Sequence, residues 1–438
     1  VAEPAIIVLF GITGDLAQRK LLPALYHLFK NGGLDDNTIV LGISRRAVGP
    51  KEVLQNVTFD GDDTDQAAAG KLRASLRMFT MSQTDPDEYR QLKQLLDDLE
   101  AGQGSCMHRL FYLSIPPQMF TTVVRYLGEH GLNSGCQHGN GQSRLLVEKP
   151  FGYDLASARE LLAATSQWFN EDQLFRIDHY IAKDAVQNIV TARQAIPALE
   201  AMWNDERISE IAVTVAEQLD IEGRANFYEG VGALRDFVQS HLLQVLGLAV
   251  MNVPAHTMSD ETHAARLEAL QAIQPATVQQ AARGQYDGYQ AEVANPNSTT
   301  ETYAELHLTS DDPRWENTTF TLITGKAMSE KRAEVRLTLK EGAIVFHIQP
   351  ELGIELAGDF EQLHGAVADF NQQHQASLMN PLGYEKIFAD AISGDHRLFT
   401  SVAEVLRSWE IVEDVLRAWA GNGDGLATYA KGSEKISA

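Results

Sequence analysis

Six apolar residues in a row, Ala5–Phe10, run straight into Gly11-Ile-Thr-Gly14. An unbroken apolar run of that length, with no alternation, reads as a strand buried on both faces, which a parallel sheet covered by helices provides. The following residues keep the same grammar. A helix is expected over residues 16–29, with Pro23 as an irregularity, and a second strand over 38–43 ends at Ser44-Arg45-Arg46. Helical patterns cover 52–56, 65–76 and 87–99. A strand over 110–114 stops at Pro116-Pro117, a helix covers 120–130, and a strand over 143–148 is closed by Lys149-Pro150-Phe151-Gly152. Strand alternating with helix at this spacing predicts an α/β domain, a Rossmann-like doubly wound parallel sheet.

After about residue 179 the pattern changes. Long alternating segments appear over 209–217, 299–308, 318–324, 333–339 and 343–348, interleaved with helical patterns over 234–251, 261–272 and 402–419. Strands of that kind, backed by helices, predict a larger α+β domain built on a large, mainly antiparallel sheet. A chain of 438 residues also exceeds one ordinary core. The expected division is a dinucleotide-binding domain over 1–179 and a substrate-binding and dimerisation domain over 180–438.

Composition excludes several classes. Hydrophobic content of 44% and charged content of 22% suit a globular protein. No apolar run approaches the roughly 20 residues of a membrane-spanning helix. No basic flank precedes Ala5–Phe10, so a secretory leader is not expected. Cys106 and Cys136 offer neither a disulfide framework nor a metal-ligand spacing, so no metal and a reducing cytoplasm are expected. The formal charge of −23 argues against nucleic acid and anionic membranes as partners. An anionic ligand must then be held by local cationic clusters.

Two such clusters stand out. In Arg176-Ile-Asp-His-Tyr-Ile-Ala-Lys183, a strand ending at Asp178 and a helix starting at His179 would put His179 and Lys183 on one helical face. With Tyr180 between them at a helix N-terminus, they would form a phosphate receptor; a solvated helix start presents the same side chains. Gly11-x-x-Gly14-Asp15-Leu16 sits at a strand-to-helix turn, where glycines let the backbone approach a pyrophosphate. Ser44-Arg45-Arg46 replaces the acidic residue that binds the ribose of NAD, and paired guanidiniums suit the 2′-phosphate of NADP. NADP is therefore expected, with NAD as second choice; a solvated basic loop is the plainer alternative. A third segment, Arg235-Asp236-Phe-Val-Gln-Ser-His241-Leu-Leu-Gln244, carries an apolar stripe through Phe237, Leu242, Val245, Leu246 and Leu248, with His241 at its border. Alone, such a histidine is more often a hydrogen-bonded core residue than a catalyst, and Asp178 could cap a helix.

Gly11–Leu16, Glu148-Lys-Pro-Phe-Gly152, Arg176–Lys183, Arg235–Gln244 and Gly325-Lys326 together, in this order, resemble the glucose-6-phosphate dehydrogenase family. Weaker matches at Arg109–Leu113, Arg283–Tyr286, Thr299–Thr302, Ala333–Arg336, Gly394-Asp395 and Ser408-Trp409 extend the resemblance over nearly the whole chain. The resemblance implies oxidation of glucose 6-phosphate at C1 to the 6-phospholactone, with hydride transfer to NADP, the oxidising entry to the pentose phosphate route. It implies that His241 is the general base and that Asp178 is the carboxylate paired with it. It further implies that His179, Tyr180 and Lys183 hold the phosphate. By the same resemblance Glu217 and Asp236 would bind sugar hydroxyls, and Lys326, Lys331 and Gln349 would lie at the substrate. Lys149 joins coenzyme and substrate pockets, and Gly11, Gly14, Asp15, Leu16, Arg45, Arg46 and Tyr112 line the coenzyme pocket. The family also implies a homodimer or homotetramer built through the large sheet.

Departures bear on specificity. Ala182 replaces a glycine, Asp184 a glutamate, Ser240 an asparagine and Lys331 an arginine of the family pattern. The runs Arg193–Ile196 and Glu217–Asp220 also differ from it. These leave open a related hexose-phosphate or aminosugar-phosphate dehydrogenase. A catalytically silent nucleotide-binding regulator is a further alternative, opposed by the joint retention of Asp178, His241, Lys183 and Lys149.

Overall fold

The computed structural model describes residues 3–59, 64–104, 106–136, 139–254, 259–378 and 383–434. Contacts divide the chain into two units: Val1–Gly152 with Arg159–Asp178 and Leu382–Val402, and Tyr153–Ala158 with His179–Pro381 and Ala403–Ala438. Beside the crossing between Asp178 and His179, the chain therefore returns to the first unit over 382–402, a detour that local pattern does not announce.

The first unit is a seven-stranded sheet. Strands β1 (Ala5–Phe10), β2 (Ile39–Ser44), β3 (Leu76–Thr80), β4 (His108–Leu113), β5 (Ser143–Val147) and β6 (Leu174–Ile177) are all parallel, in the order β6-β5-β4-β1-β2-β3. The two-residue strand Phe399–Thr400 adds antiparallel to β6. All six residues of β1 are buried, as a strand covered on both faces requires. Its core joins Ile6, Val8 and Phe10 to Leu41, Phe111, Leu145 and the helix residues Tyr89, Leu92 and Leu96. That helix, Pro86–Gln103, starts where the Asp85 carboxylate accepts the Asp87 N–H and Pro86 presets the first turn. It stops at Gly104, whose φ of 66° is left-handed.

The second unit holds an eight-stranded sheet. Its strands are β7 (Ile208–Ala216), β8 (Ala281–Tyr286), β9 (Tyr303–Leu308), β10 (Thr319–Gly325), β11 (Arg332–Leu339), β12 (Gly342–Gln349), β13 (Gly353–Gly358) and the strand Leu426–Tyr429. From one edge they run β13-β12-β11-β7-β10-β9-β8, with Leu426–Tyr429 beyond β8. Pairing is antiparallel except for β7 with β10 and β8 with Leu426–Tyr429. Helices of the same unit stack behind it. An ion pair between Arg266 and Glu404, both wholly buried, ties two of them together. Removing either partner would strand a buried charge at a cost of about 3–5 kcal/mol.

Several expectations need correction. Residues 76–80 form β3, whereas the sequence pattern extends a helix to 76 and shows no strand beyond it. Residues 17–21 and 234–242 are π-helical, each leading into an α-helix, Leu22–Lys30 and Leu243–Val250. Pro23 falls in the first turn of the former, where a missing N–H costs little. Cys106 and Cys136 form a disulfide with Cα atoms 5.7 Å apart, against the expectation of none. Parallel neighbours explain it: Cys106 precedes β4 and Cys136 lies on the loop before β5, so two starting ends of adjacent strands bring the cysteines together.

Asp390, on the helix Tyr384–Ser393, has its carboxyl pushed up to about 6 from 3.8, by burial and then by the charge of Asp395. Between those values the unfolded chain ionises this group and the folded one resists. Its contribution to stability is thus present below pH 3.8 and lost as pH rises to about 6. Denaturant titrations across that window should show the wild type losing stability relative to Asp390→Asn, with a constant gap above it. Parallel curves throughout would show that Asp390 titrates normally.

Candidate active site

Each unit presents one set of candidate side chains, both placed by strand ends. In the first unit the turn after β1 lies beside the end of β4, where the strand order reverses direction. In open parallel sheets the crevice at that point receives ligands. Gly11 has φ 78°, and a Cβ there would sit 2.0 Å from the Ser114 carbonyl oxygen, so no other residue lets the turn pass β4. The Gly14 N–H closes the turn on the Gly11 carbonyl at 2.8 Å. Asp15 and Leu16 open the following helical segment, and Asp15 faces solvent 3.6 Å from Arg19. Arg45 and Arg46 stand exposed just after β2, with no ion pair among the described residues. Tyr112, on β4, is fully buried and donates its hydroxyl to Glu148. Its phenol is pushed well above the ordinary value by burial, then by the Glu148 charge. Lys149 follows at the end of β5, partly exposed, and its bond to Pro150 is cis. Asp178 follows β6 directly and is 4% exposed.

The second set begins at His179. Contrary to expectation, His179 starts no helix. Residues 179–182 form a turn, and the helix Asp184–Ala195 begins after Lys183, which takes the N-cap position. His179 and Lys183 therefore do not share a helical face; the turn is closed by the Lys183 N–H bonded to the Tyr180 carbonyl at 3.1 Å. The Lys183 ammonium lies 4.0 Å above the Tyr180 ring and donates to the Gln349 Oε1 at 2.8 Å. Tyr180 in turn packs against His241, ring centroids 4.8 Å apart.

His241 and Asp236 lie on the π-helix Leu234–Leu242, with His241 4% exposed. In an α-helix residues five apart are about 140° out of phase. The i→i+5 pattern of a π-helix instead brings them over one another, so Asp236 and His241 share a face. Glu301 fixes the start of this helix: its carboxylate accepts the Leu234 N–H at 3.0 Å and its carbonyl accepts the Ala233 N–H at 3.0 Å. Burial raises the Glu301 carboxyl, partly offset by the Leu234 bond. The sequence reading missed this role, although Thr299–Thr302 was among the weaker family matches. Gly232 belongs to the same device, since a Cβ there would meet the Glu301 carboxylate at 2.3 Å.

Glu217 and Lys326 meet because β7 and β10 are parallel and in register at Ala216 and Gly325. Each residue is the first beyond its strand, and the two side chains form an ion pair. Lys331 stands apart, exposed before β11, with no ion pair among the described residues. In the departing run Arg193–Ile196 the arginine itself is structural: the buried Arg193 guanidinium binds Glu200 and the carbonyls of Ala249 and Met251.

Comparison with known proteins identifies the family. Residues 8–188 match the family model described as glucose-6-phosphate dehydrogenase, NAD binding domain, and residues 190–438 that of its C-terminal domain. The glucose-6-phosphate 1-dehydrogenases of Chlamydia muridarum and Bacillus subtilis are each 33% identical to the chain, covering 98% of it and 93% and 94% of their own lengths. A solved glucose-6-phosphate dehydrogenase in complex with its substrate glucose-6-phosphate superposes with a TM-score of 0.89 at 28% identity, covering 100% of this chain and 96% of that one. The enzyme from Mycobacterium avium gives 0.81 at 30%, over 98% and 95%. The chain belongs to the glucose-6-phosphate dehydrogenase family.

Proposed function

We propose that the protein oxidises glucose 6-phosphate at C1 to the 6-phosphogluconolactone, reducing NADP. The observation that carries this reading is the arrangement in the second unit, where Lys183, Tyr180 and His241 pack in sequence and Lys326 with Glu217 closes a neighbouring strand end. An imidazole beside a cationic, phenol-bearing turn suits a sugar alcohol whose far end carries a phosphate.

In this reading His179, Tyr180 and Lys183 bind the phosphate, with Gln349 holding the Lys183 ammonium ready. Glu217, Asp236 and Lys326 engage the sugar hydroxyls, and Lys331, exposed before β11, is kept as a second substrate cation on the family resemblance alone. A buried carboxylate left unmatched is costly, so sugars lacking the right hydroxyl bind poorly. His241 takes the proton of the C1 hydroxyl while the C1 hydrogen leaves as hydride. The family resemblance assigns Asp178 as the carboxylate partner of this imidazole, a group that would fix its tautomer and stabilise the imidazolium. The nicotinamide, when bound, accepts the hydride. Gly11, Gly14, Asp15 and Leu16 form the turn that meets the pyrophosphate, and Tyr112 and Lys149 complete the pocket. That the turn fits a dinucleotide rests on its place at the switch in strand order and on its positive-φ glycine. Arg45 and Arg46, exposed and unengaged by carboxylates among the described residues, would grip the 2′-phosphate. NAD is the second choice.

A homodimer, or a pair of dimers, built through the eight-stranded sheet accompanies this reading, as does residence in the cytoplasm. The Cys106–Cys136 disulfide weighs against the latter, since a reducing compartment keeps such thiols free. Thiol alkylation before lysis would decide the matter.

His241→Asn should lower kcat about 10³-fold with little change in KM for glucose 6-phosphate, because it removes a proton acceptor needed only in the transition state. An unchanged kcat would remove His241 from the mechanism. Replacing Arg45 and Arg46 together by Ala should weaken NADP at least about tenfold more than NAD; equal losses would indicate damage to the whole pocket. Glucose 6-phosphate should be turned over in preference to glucosamine 6-phosphate and free glucose in the reduced-coenzyme absorbance assay, and a reversed order would reassign the substrate.

A further inference from the structure

Lys326 is 3% exposed, and its ion pair with Glu217 is the only one it makes among the described residues. Two aromatic rings also stand by it. Its ammonium lies 5.3 Å from the centroid of the Tyr228 ring and 5.3 Å from that of Phe237. Ring faces attract a cation through their quadrupole, and the attraction grows as water is excluded. They also restrict a four-carbon side chain that otherwise samples many rotamers. Tyr228 contributes its ring alone, because its buried hydroxyl finds no hydrogen-bond partner among the described residues.

Phe237 does more than flank the lysine. Its ring also meets His241 at 5.6 Å and 69°, and Tyr180 at 5.9 Å and 78°, both edge-to-face. It therefore touches the proposed base, a proposed phosphate ligand and a proposed sugar ligand at once. In the sequence it is simply one residue of an apolar stripe. A core role alone would not put a partly exposed phenylalanine between an imidazole and a buried ammonium.

We propose that Phe237, together with Tyr228, is a positioning residue for glucose 6-phosphate oxidation: the two rings clamp the Lys326 ammonium for the sugar, and Phe237 also sets the His241 ring. This rests on the phosphosugar reading above. The clamp holds a cation in place without adding a second carboxylate to neutralise it, so its charge and remaining N–H donors stay available to sugar oxygens.

A double-mutant cycle in the full-length enzyme tests it, comparing wild type, Phe237→Leu, Lys326→Met and the double variant. Phe237→Leu should lower kcat/KM for glucose 6-phosphate about tenfold, with KM for NADP and the melting temperature nearly unchanged. In the Lys326→Met background the same change should cost less than about threefold, the remainder reporting the contact with His241. Phe237→Tyr, which keeps the ring, should restore most of the loss. A tenfold drop of equal size in both backgrounds, or no drop in the single variant, would overturn the clamp. Wild-type kinetics in Lys326→Met would instead overturn the assignment of Lys326 to the substrate, and the clamp with it.

Discussion

The parallel pairing of β7 with β10 is the constraint on which the second unit's site depends. In a sheet that is otherwise almost wholly antiparallel, this one pair ends in register, so that Glu217 and Lys326 emerge side by side from the same edge. An antiparallel pair would have sent them to opposite ends. The backbone reinforces the arrangement, with the Glu217 N–H on the Gly325 carbonyl at 2.8 Å and the Met328 N–H on the Glu217 carbonyl at 2.9 Å. The ion pair is thus fixed by main-chain geometry before any side chain chooses a rotamer.

The other candidate side chains of this unit are carried by elements that each lack a regular feature. The helix carrying Asp236 and His241 is π-helical and is anchored by a buried carboxylate rather than by a serine or aspartate cap. The phosphate-type cluster sits on a turn rather than a helix. Widened helices and irregular turns cost stability locally and are common where side chains must be aimed at a ligand. Here Glu301 supplies the compensation at one end and the helix Leu243–Val250, entirely buried, supplies it at the other.

Much of this was legible in residues alone. The apolar run of β1 and its following glycines specify a buried parallel strand and a tight turn, and alternation in the later segments specifies the second sheet. Five ordered motifs point to the family to which the chain belongs. What escaped was long-range or subtle in phase. A π-helix and an α-helix differ by one residue per turn, and over nine residues an apolar stripe cannot tell them apart. The turn at 179–182 hides behind a motif that suits a helix start equally well. The disulfide depends on adjacent strand ends thirty residues apart, which spacing cannot reveal. The return of residues 382–402 to the first unit, delivering Tyr384 against Glu148, is likewise a matter of tertiary contact.

A crystal structure of the protein with glucose 6-phosphate would test the central claim most directly. The account places a nitrogen of His241 within about 3 Å of the C1 oxygen, as proton transfer requires, with the phosphate seated on His179, Tyr180 and Lys183. A sugar bound with its C1 oxygen beyond reach of that ring, or with its phosphate away from this turn, would contradict it.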